Sequence, residues 1–449
     1  MKSHSNKQNV GRILLMHIRL AGGPGRVRHT RLVVVLLLVV LGAAPVSDAQ
    51  TLSRSRPEDV GLSSERLRRL SSALHGYVKD GRLPGGVALV ARRGKVAYVE
   101  AFGQRDREAN SPMREDVIFR IASQTKAVVS VGVMVLQEEG RLLISDPVGK
   151  YLPEFRETTV AVPKDGGGYE VVKAKRSITI RDLLTHTAGI SYGGGVARDR
   201  WEAAGITGWY FAGRDEPIGV TVSRMASLPF DAHPGERWVY GYSTDILGAL
   251  IERVSGETLD EFLRSRITVP LGMKDTHFYL PESKRDRLAA VYSARESGGI
   301  ERAPDPGGMV GQGAYVIGPR KSYSGGAGLL STATDYARFL LMLLNGGELD
   351  GKRILSRKTV ELMTVDHLGN TAFGDGQGFG LGFFVVEDLG ARGLQGSVGE
   401  FGWGGAYHST YWVDPKEQLV VVYFTQLIPA GDIDDHGKLR ALVYQAIVN

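Results

Sequence analysis

Strand-like sequence lies near both ends of the chain, and helical sequence lies between them. Two apolar, β-rich runs at residues 86–91 and 95–101 flank Arg92-Arg93-Gly94, which is typical of a hairpin turn. Near the other end, strand character returns in three segments, residues 379–387, 407–413 and 419–424. Because strands must pair with other strands, this distribution predicts an α+β fold. We expect one antiparallel sheet, built from both chain ends and flanked by helices, with a mainly helical insertion at roughly residues 140–320.

One helix in this pattern is predicted to be buried. The segment from Ile121 to Glu139 is apolar on most of its sides, which is typical of a helix surrounded by protein. Gly140 follows where a left-handed helix cap is expected. The few polar side chains at the start of this helix therefore need a separate explanation.

The first 49 residues are predicted to be a signal peptide. A basic flank precedes the wholly apolar run 32–41, and Ser47-Asp48-Ala49 places small residues where a cleavage site requires them. The apolar run is short for a bilayer span, which disfavours the alternative of a membrane anchor. Translation from Met16 would give a more ordinary leader. We therefore expect an exported protein, periplasmic or secreted, with one domain over residues 50–449 and no stable membrane span after leader removal.

The net charge of +6 does not indicate a nucleic-acid partner. Seven of the 55 Lys and Arg residues and one of the 49 Asp and Glu residues lie in the predicted leader, so the remaining 48 basic and 48 acidic residues cancel. Cysteine is absent, and the histidines show no metal-binding spacing. We expect no metal, no cofactor, no nucleic acid and no disulfide; the sequence does not predict an oligomeric state.

Ser123-Gln124-Thr125-Lys126 is the first candidate for chemistry. Residues three apart share a helix face, so Lys126 lies one turn after Ser123 and can reach its hydroxyl. A serine hydroxyl is a weak nucleophile until a base removes its proton, and a neutral lysine can be that base. The start of the helix adds free backbone N–H groups that favour an oxyanion. Alone, the motif is equally typical of a polar helix cap.

Two further segments carry candidate site residues. Tyr240 lies just before a helix predicted to start near Thr244, where its phenol can face a cleft and relay a proton. The run Gly402-Trp403-Gly404-Gly405-Ala406 precedes a strand, and its glycines allow a close approach of substrate to the strand edge. Each segment alone also fits an ordinary core aromatic or a strand-entry turn.

Taken in order, these motifs resemble the serine β-lactamase-like superfamily, which includes class C β-lactamases, penicillin-binding proteins and esterases. The resemblance covers roughly residues 55–445 and is closest to the esterase branch with a Trp-Gly-Gly third motif. Further landmarks in the same order are Gly140-Arg141-Leu142, Thr185-His186-Thr187-Ala188-Gly189, Asp245-Ile246-Leu247-Gly248 and Gly325-Gly326-Ala327-Gly328. The resemblance implies a β-lactamase/transpeptidase-like fold.

The resemblance also implies roles for individual residues. Ser123 would be acylated, while Lys126 and Tyr240 would handle the protons. The backbone N–H groups of Ser123 and Ala406 would form the oxyanion hole. The residues that we expect to contact the substrate are Trp403, Gly404, Gly405 and Tyr242.

Two positions depart from the pattern of this superfamily. Tyr242 stands where the second motif often has Asn; the register of Asp245 favours Tyr240 as the catalytic tyrosine, with Tyr242 as the alternative. Trp403 stands where Lys or His is common, and a cation there would bind a substrate carboxylate. His408 is close enough in the sequence to be a substitute for that cation, but we expect it to be a strand residue.

These observations favour a serine hydrolase that acts on small esters, or on a related amide, through an acyl-enzyme. A β-lactamase or D-amino-acid peptidase of the same superfamily is the alternative. A non-catalytic cell-wall binding module is a third interpretation, but such a module has no need of Ser123, Lys126 and Tyr240 together.

A rival nucleophile, Ser191, lies in the sequence Gly189-Ile190-Ser191-Tyr192-Gly193. That pattern needs a preceding strand, whereas a helical segment precedes it here. His186 lies nearby and is expected to be structural.

The two serines make opposite predictions. We expect Ser123→Ala to abolish ester hydrolysis and labelling by a fluorophosphonate, with a loss of rate of about 10⁴ or more, because the nucleophile is removed. Ser191→Ala should change neither. Both variants should retain the circular-dichroism spectrum of the wild type, and a Ser123→Ala protein with a tenth of the normal turnover would contradict the assignment.

Overall fold

The structure is a computed structural model that describes residues 51–449. The predicted signal peptide lies outside this range. Within the range, no helix combines the length and the apolar character that crossing a membrane would require.

The centre of the fold is an eight-stranded sheet with the order β12-β13-β14-β15-β16-β1-β2-β3, in which every neighbouring pair is antiparallel. In chain order the strands are β1 (Gly85–Arg92), β2 (Lys95–Asp106), β3 (Ser111–Pro112), β4 (Phe119–Arg120), β5 (Thr159–Pro163), β6 (Tyr169–Lys173), β7 (Tyr292–Ala294), β8 (Ile300–Arg302), β9 (Leu330–Ser331), β10 (Glu348–Leu349), β11 (Lys352–Arg353), β12 (Gln377–Phe379), β13 (Phe384–Val386), β14 (Phe401–Gly405), β15 (Ser409–Asp414) and β16 (Leu419–Thr425). Pairing of β1 with β16 joins the two ends of the chain, so the predicted sheet is confirmed.

The turn between β1 and β2 shows why this hairpin forms. Arg93 and Gly94 have φ angles of 51° and 75°. Positive φ at both central residues matches the right-handed twist of the flanking strands, and glycine adopts it without strain. The hairpin predicted around these residues is confirmed.

Both faces of the sheet are covered. Along β1, Val87 and Leu89 join one apolar cluster, whereas Ala88 and Val90 join another, because successive side chains point to opposite faces. The first face is packed against α8, and α1 and α11 pack together over the second. In chain order the helices are α1 (Ser64–Lys79), α2 (Thr125–Glu138), α3 (Ile180–Leu184), α4 (Arg198–Ala203), α5 (Ile218–Met225), α6 (Ser243–Ser255), α7 (Leu259–Leu263), α8 (Ala333–Leu344), α9 (Arg357–Met363), α10 (Leu389–Arg392) and α11 (Asp435–Tyr444).

The predicted buried helix is α2. It is preceded by a single 3-10 turn, Ala122–Gln124, and every residue from Thr125 to Leu136 is buried. It packs against α6 and α7, and a side chain at Gly132 would meet Leu263 at 3.1 Å. The absence of a side chain at this point lets the helices approach closely.

The stretch between α2 and β9 contains helices α3 to α7 and two small hairpins. The hairpins are β5–β6 and β7–β8. The first was not expected, because the Gly-rich turn at residues 164–168 dominates its sequence. Its strands are only five residues long, and neither alternates strictly between apolar and polar residues, so the strand signal is weak beside that turn.

Candidate active site

Ser123 lies in the 3-10 turn between β4 and α2, where the backbone is strained. Ala122 has a φ of 43°, in the left-handed region that residues other than glycine rarely adopt. Two residues earlier, the side-chain amide of Gln426 holds the backbone of Arg120, accepting from Arg120 N at 3.1 Å and donating to Arg120 O at 3.0 Å. Strain of this kind persists where the surrounding structure enforces it. The turn leaves Ser123 partly exposed in a cleft of 540 Å³.

Lys126 lies one helical turn after Ser123 and is buried, with only 1% of its surface exposed. Its Nζ lies 3.3 Å from Ser123 Oγ, 2.9 Å from Tyr192 Oη and 2.8 Å from the carbonyl oxygen of Gly326. A neutral amine has two N–H groups and one lone pair. It can therefore donate to two of these oxygens and accept the proton of Ser123 with its lone pair.

Tyr240 faces the same amine. Lys126 Nζ lies 4.6 Å from the centroid of its ring. The Tyr240 hydroxyl accepts a hydrogen bond of 3.0 Å from Trp403 Nε1, and its ring stacks on Trp238 at 5.5 Å. These contacts fix the phenol and leave its proton available for donation into the cleft.

Strand β14 passes unusually close to the turn that carries Ser123. A side chain at Gly405 would lie 2.6 Å from the carbonyl oxygen of Ile121 and 2.7 Å from Ser409 Oγ. Glycine permits this approach, and it brings Ala406 and Ser123 to the same cleft wall. Ser123 and Ala406 thus line the same cleft, and the role of their backbone N–H groups as an oxyanion hole stays a prediction.

Tyr242 does not lie in this cleft, which corrects the prediction that it contacts the substrate. It has 0% exposed surface, and its hydroxyl donates to the carbonyl oxygen of Gly208 at 2.8 Å. Its ring stacks on Trp201 at 5.6 Å. At the entrance to α6, these two residues, two positions apart, point in different directions, so Tyr240 faces Lys126 and Tyr242 faces the core.

Tyr192 is a site residue that the sequence interpretation missed. It belongs to the segment considered for the rival nucleophile, but its own hydroxyl contacts Lys126. Burial raises the pKa of Tyr192 well above its usual value, so the phenol stays protonated. The neighbouring Ser191 Oγ is buried and has no hydrogen-bond partner, so no base contacts it.

His186 is buried behind Tyr240, with ring centroids 4.8 Å apart. Burial, and then the charge of Lys126, lowers the pKa of His186 well below its usual value. Its imidazole is therefore neutral and acts as a packing surface for the tyrosine.

His408 lines the cleft from the turn between β14 and β15, with a φ of 60°, and is not in a strand as expected. Its Nε2 lies 2.7 Å from Asp435 Oδ1, and Tyr423 donates to the other carboxylate oxygen at 2.7 Å. Its ring stacks on that of His436 at 4.1 Å and 16°. Burial, with the neighbouring His408, lowers the pKa of His436 to about 4.

Within residues 51–449, this trio is a group whose ligand atoms, lying within 4.8 Å of one another, could hold a metal ion. Both oxygens of Asp435 already accept hydrogen bonds. The group fits a hydrogen-bonded cluster at the cleft rim better than a metal site.

A partly exposed serine at the start of a buried helix, a lysine one turn later and a tyrosine facing both define a serine hydrolase of the β-lactamase/transpeptidase-like fold. The family model Beta-lactamase matches residues 70–445, and the chain belongs to this family.

Known proteins agree with this placement. Esterase EstB of Burkholderia gladioli is 34% identical over 383 residues, which cover 81% of this chain and 91% of that protein. Among solved structures, EstCE1, described as a hydrolase with promiscuous acyltransferase activity, has a TM-score of 0.72 and 27% identity, covering 84% of this chain and 98% of that one. Simvastatin synthase from Aspergillus terreus has a TM-score of 0.71 and 25% identity, covering 85% and 98%.

The close approach of β14 predicts different outcomes for two adjacent glycines. Gly405→Ala should lower kcat/KM for an ester by about a hundredfold, because the new methyl group pushes the Ala406 N–H away from Ser123. Gly404→Ala is the matched control, since its new methyl group would meet only Ser409 O, at 3.3 Å. Equal activity of the two variants would contradict the predicted oxyanion hole.

Proposed function

We propose that this protein is a carboxylesterase that hydrolyses small neutral esters through an acyl-enzyme on Ser123. One observation carries the choice of substrate. Among the described residues that line the cleft, none is Lys, Arg, Asp or Glu, and the walls include Trp209, Phe384 and Trp403. The cleft thus offers apolar surface and no fixed cation for a substrate carboxylate. The names of EstB and EstCE1 support the same choice.

The geometry supports a simple acylation step. The lone pair of Lys126 accepts the proton of Ser123 as its Oγ attacks the ester carbonyl carbon. The carbonyl oxygen becomes an oxyanion, which the N–H groups of Ser123 and Ala406 stabilise. As the intermediate collapses, Tyr240 gives its proton to the departing alcohol oxygen, and Lys126 returns a proton to Tyr240.

Deacylation reverses the proton path. A water molecule takes the place of the alcohol. As its oxygen attacks the acyl carbon, the water gives one proton to Tyr240, which passes its own proton on to Lys126. Collapse of the second intermediate breaks the bond to Ser123, whose oxygen takes back the proton. Trp403 donates to the Tyr240 hydroxyl throughout, so its indole both orients the tyrosine and forms the apolar wall.

Export to the periplasm or the medium is part of the same proposal. It rests on the apolar run 32–41 and the small residues at Ser47 and Ala49, together with a chain that has no cysteine. N-terminal sequencing of protein recovered from the periplasm or medium should begin at residue 50, whereas recovery of the uncleaved chain from the cytoplasm would refute it.

The substrate proposal is tested by comparing p-nitrophenyl acetate with nitrocefin. We expect a higher kcat/KM for the ester, because the missing charge-assisted hydrogen bond to the β-lactam carboxylate is worth about 1.5–3 kcal/mol, or roughly ten- to a hundredfold. Trp403→Lys should shift the ratio toward nitrocefin, and Trp403→Phe should lower ester turnover without this shift. Equal or faster hydrolysis of nitrocefin by the wild type would refute the esterase assignment.

A further inference from the structure

We propose that Asp245 is a positioning residue that fixes the Gly326 carbonyl oxygen against Lys126 and so holds the amine next to Ser123. The inference rests on the proposed function of the Ser123–Lys126 pair. Asp245 belongs to none of the cleft walls and contacts no substrate.

A single carboxylate oxygen ties two parts of the chain together. Asp245 lies in the first turn of α6 with 0% exposed surface. Its Oδ1 accepts hydrogen bonds from Ser324 Oγ at 2.6 Å and from Gly326 N at 3.0 Å. Ser324 Oγ in turn accepts from Ala327 N at 3.1 Å. Asp245 therefore sets the conformation of the turn at residues 324–327.

That turn is packed closely against the start of α6. A side chain at Gly325 would lie 2.3 Å from the carbonyl oxygen of Thr244, and one at Gly326 would lie 2.4 Å from the Asp245 carboxylate. The backbone of the turn thus rests directly on α6. With the Gly326 N–H bound to Asp245, the Gly326 carbonyl on the same residue points to Lys126 Nζ at 2.8 Å.

The second carboxylate oxygen of Asp245 shows that burial of this group is unfavourable for the stability of the fold. Its Oδ2 is buried and has no hydrogen-bond partner. Burial raises the pKa of Asp245, while the Ser324 hydroxyl and the charge of Lys126 act in the opposite direction. Buried polar atoms without partners are rare, and each one needs a reason. Asp245 is linked to Lys126 through Gly326 alone, and this position supplies the reason.

Loss of this contact should affect the chemical step and leave substrate binding intact. Without Asp245 Oδ1, the Gly326 carbonyl can rotate away, and Lys126 keeps only two of its three partners. The amine can then leave Ser123, which lowers the rate of proton transfer. KM should stay unchanged for substrates whose binding reaches equilibrium before the chemical step, because the residues that line the cleft are not altered.

The test uses two substitutions at Asp245 and a matched control. Asp245→Ala should lower kcat for p-nitrophenyl acetate by about tenfold or more, with KM within about twofold of the wild type. Asp245→Asn should restore most of kcat, since its amide oxygen can accept both hydrogen bonds and its NH₂ takes the place of the unpartnered oxygen. Asp335 is the control, because it is also a buried aspartate in the first turn of a helix and holds Asp275 N at 2.7 Å. Asp335→Ala should lower the melting temperature and leave kcat unchanged.

Three results would overturn the inference: wild-type kcat in folded Asp245→Ala, equal loss in the Ala and Asn variants, or the same loss of kcat in Asp335→Ala. If Asp245→Ala does not fold, Ser324→Ala removes one of the two donors and should lower kcat with KM unchanged; an unchanged kcat would also overturn the inference.

The rate of Ser123 labelling by a fluorophosphonate separates this question from the ester assignment. A wild-type protein that labels but does not hydrolyse esters would refute the substrate proposal, while slow labelling of Asp245→Ala would still support the inference.

Discussion

The amine of Lys126 is held by oxygens from three separate parts of the chain. Ser123 lies in the 3-10 turn that leads into the helix of Lys126, Tyr192 comes from a loop of the insertion, and Gly326 comes from the turn before β9. Burial of a lysine is costly unless its amine is neutral or fully hydrogen-bonded. The three parts must therefore be in place together, and this requirement links the helical insertion to the sheet.

Aromatic packing completes the arrangement on the side of the cleft. Tyr240 contacts Trp238, Trp403 and His186, so its phenol is held by rings on several sides and by one indole N–H. A rigid tyrosine loses little freedom when it donates its proton, which is an advantage of a site organised before the substrate arrives. The tryptophan that stands where Lys or His is common thus also holds the Tyr240 hydroxyl, a contact that its place in the motif alone did not reveal.

Sequence reasoning was most successful where the signal is local. The spacing of Ser123 and Lys126, the β1–β2 hairpin and the sheet built from both ends follow from periodicity and turn chemistry. It was wrong for Tyr242 and missed Tyr192, because the direction of a side chain in a loop depends on distant packing. Asp435 was also missed, since its contact with His408 joins residues 27 positions apart. The pairing of Ser123 with Lys126 follows from the geometry of one helix turn. The contact between Lys126 and the Gly326 carbonyl oxygen, in contrast, depends on the whole fold.

The proposed reaction requires that Ser123 carries the acyl group during turnover. The most direct measurement is rapid acid quenching of the wild type during hydrolysis of a p-nitrophenyl ester, followed by mass spectrometry of the intact chain and its peptides. Acylation of Ser123 predicts a burst of p-nitrophenol with one acyl group on the peptide that contains Ser123. An acyl group on the peptide containing Ser191, or a burst with no modified peptide, would contradict it.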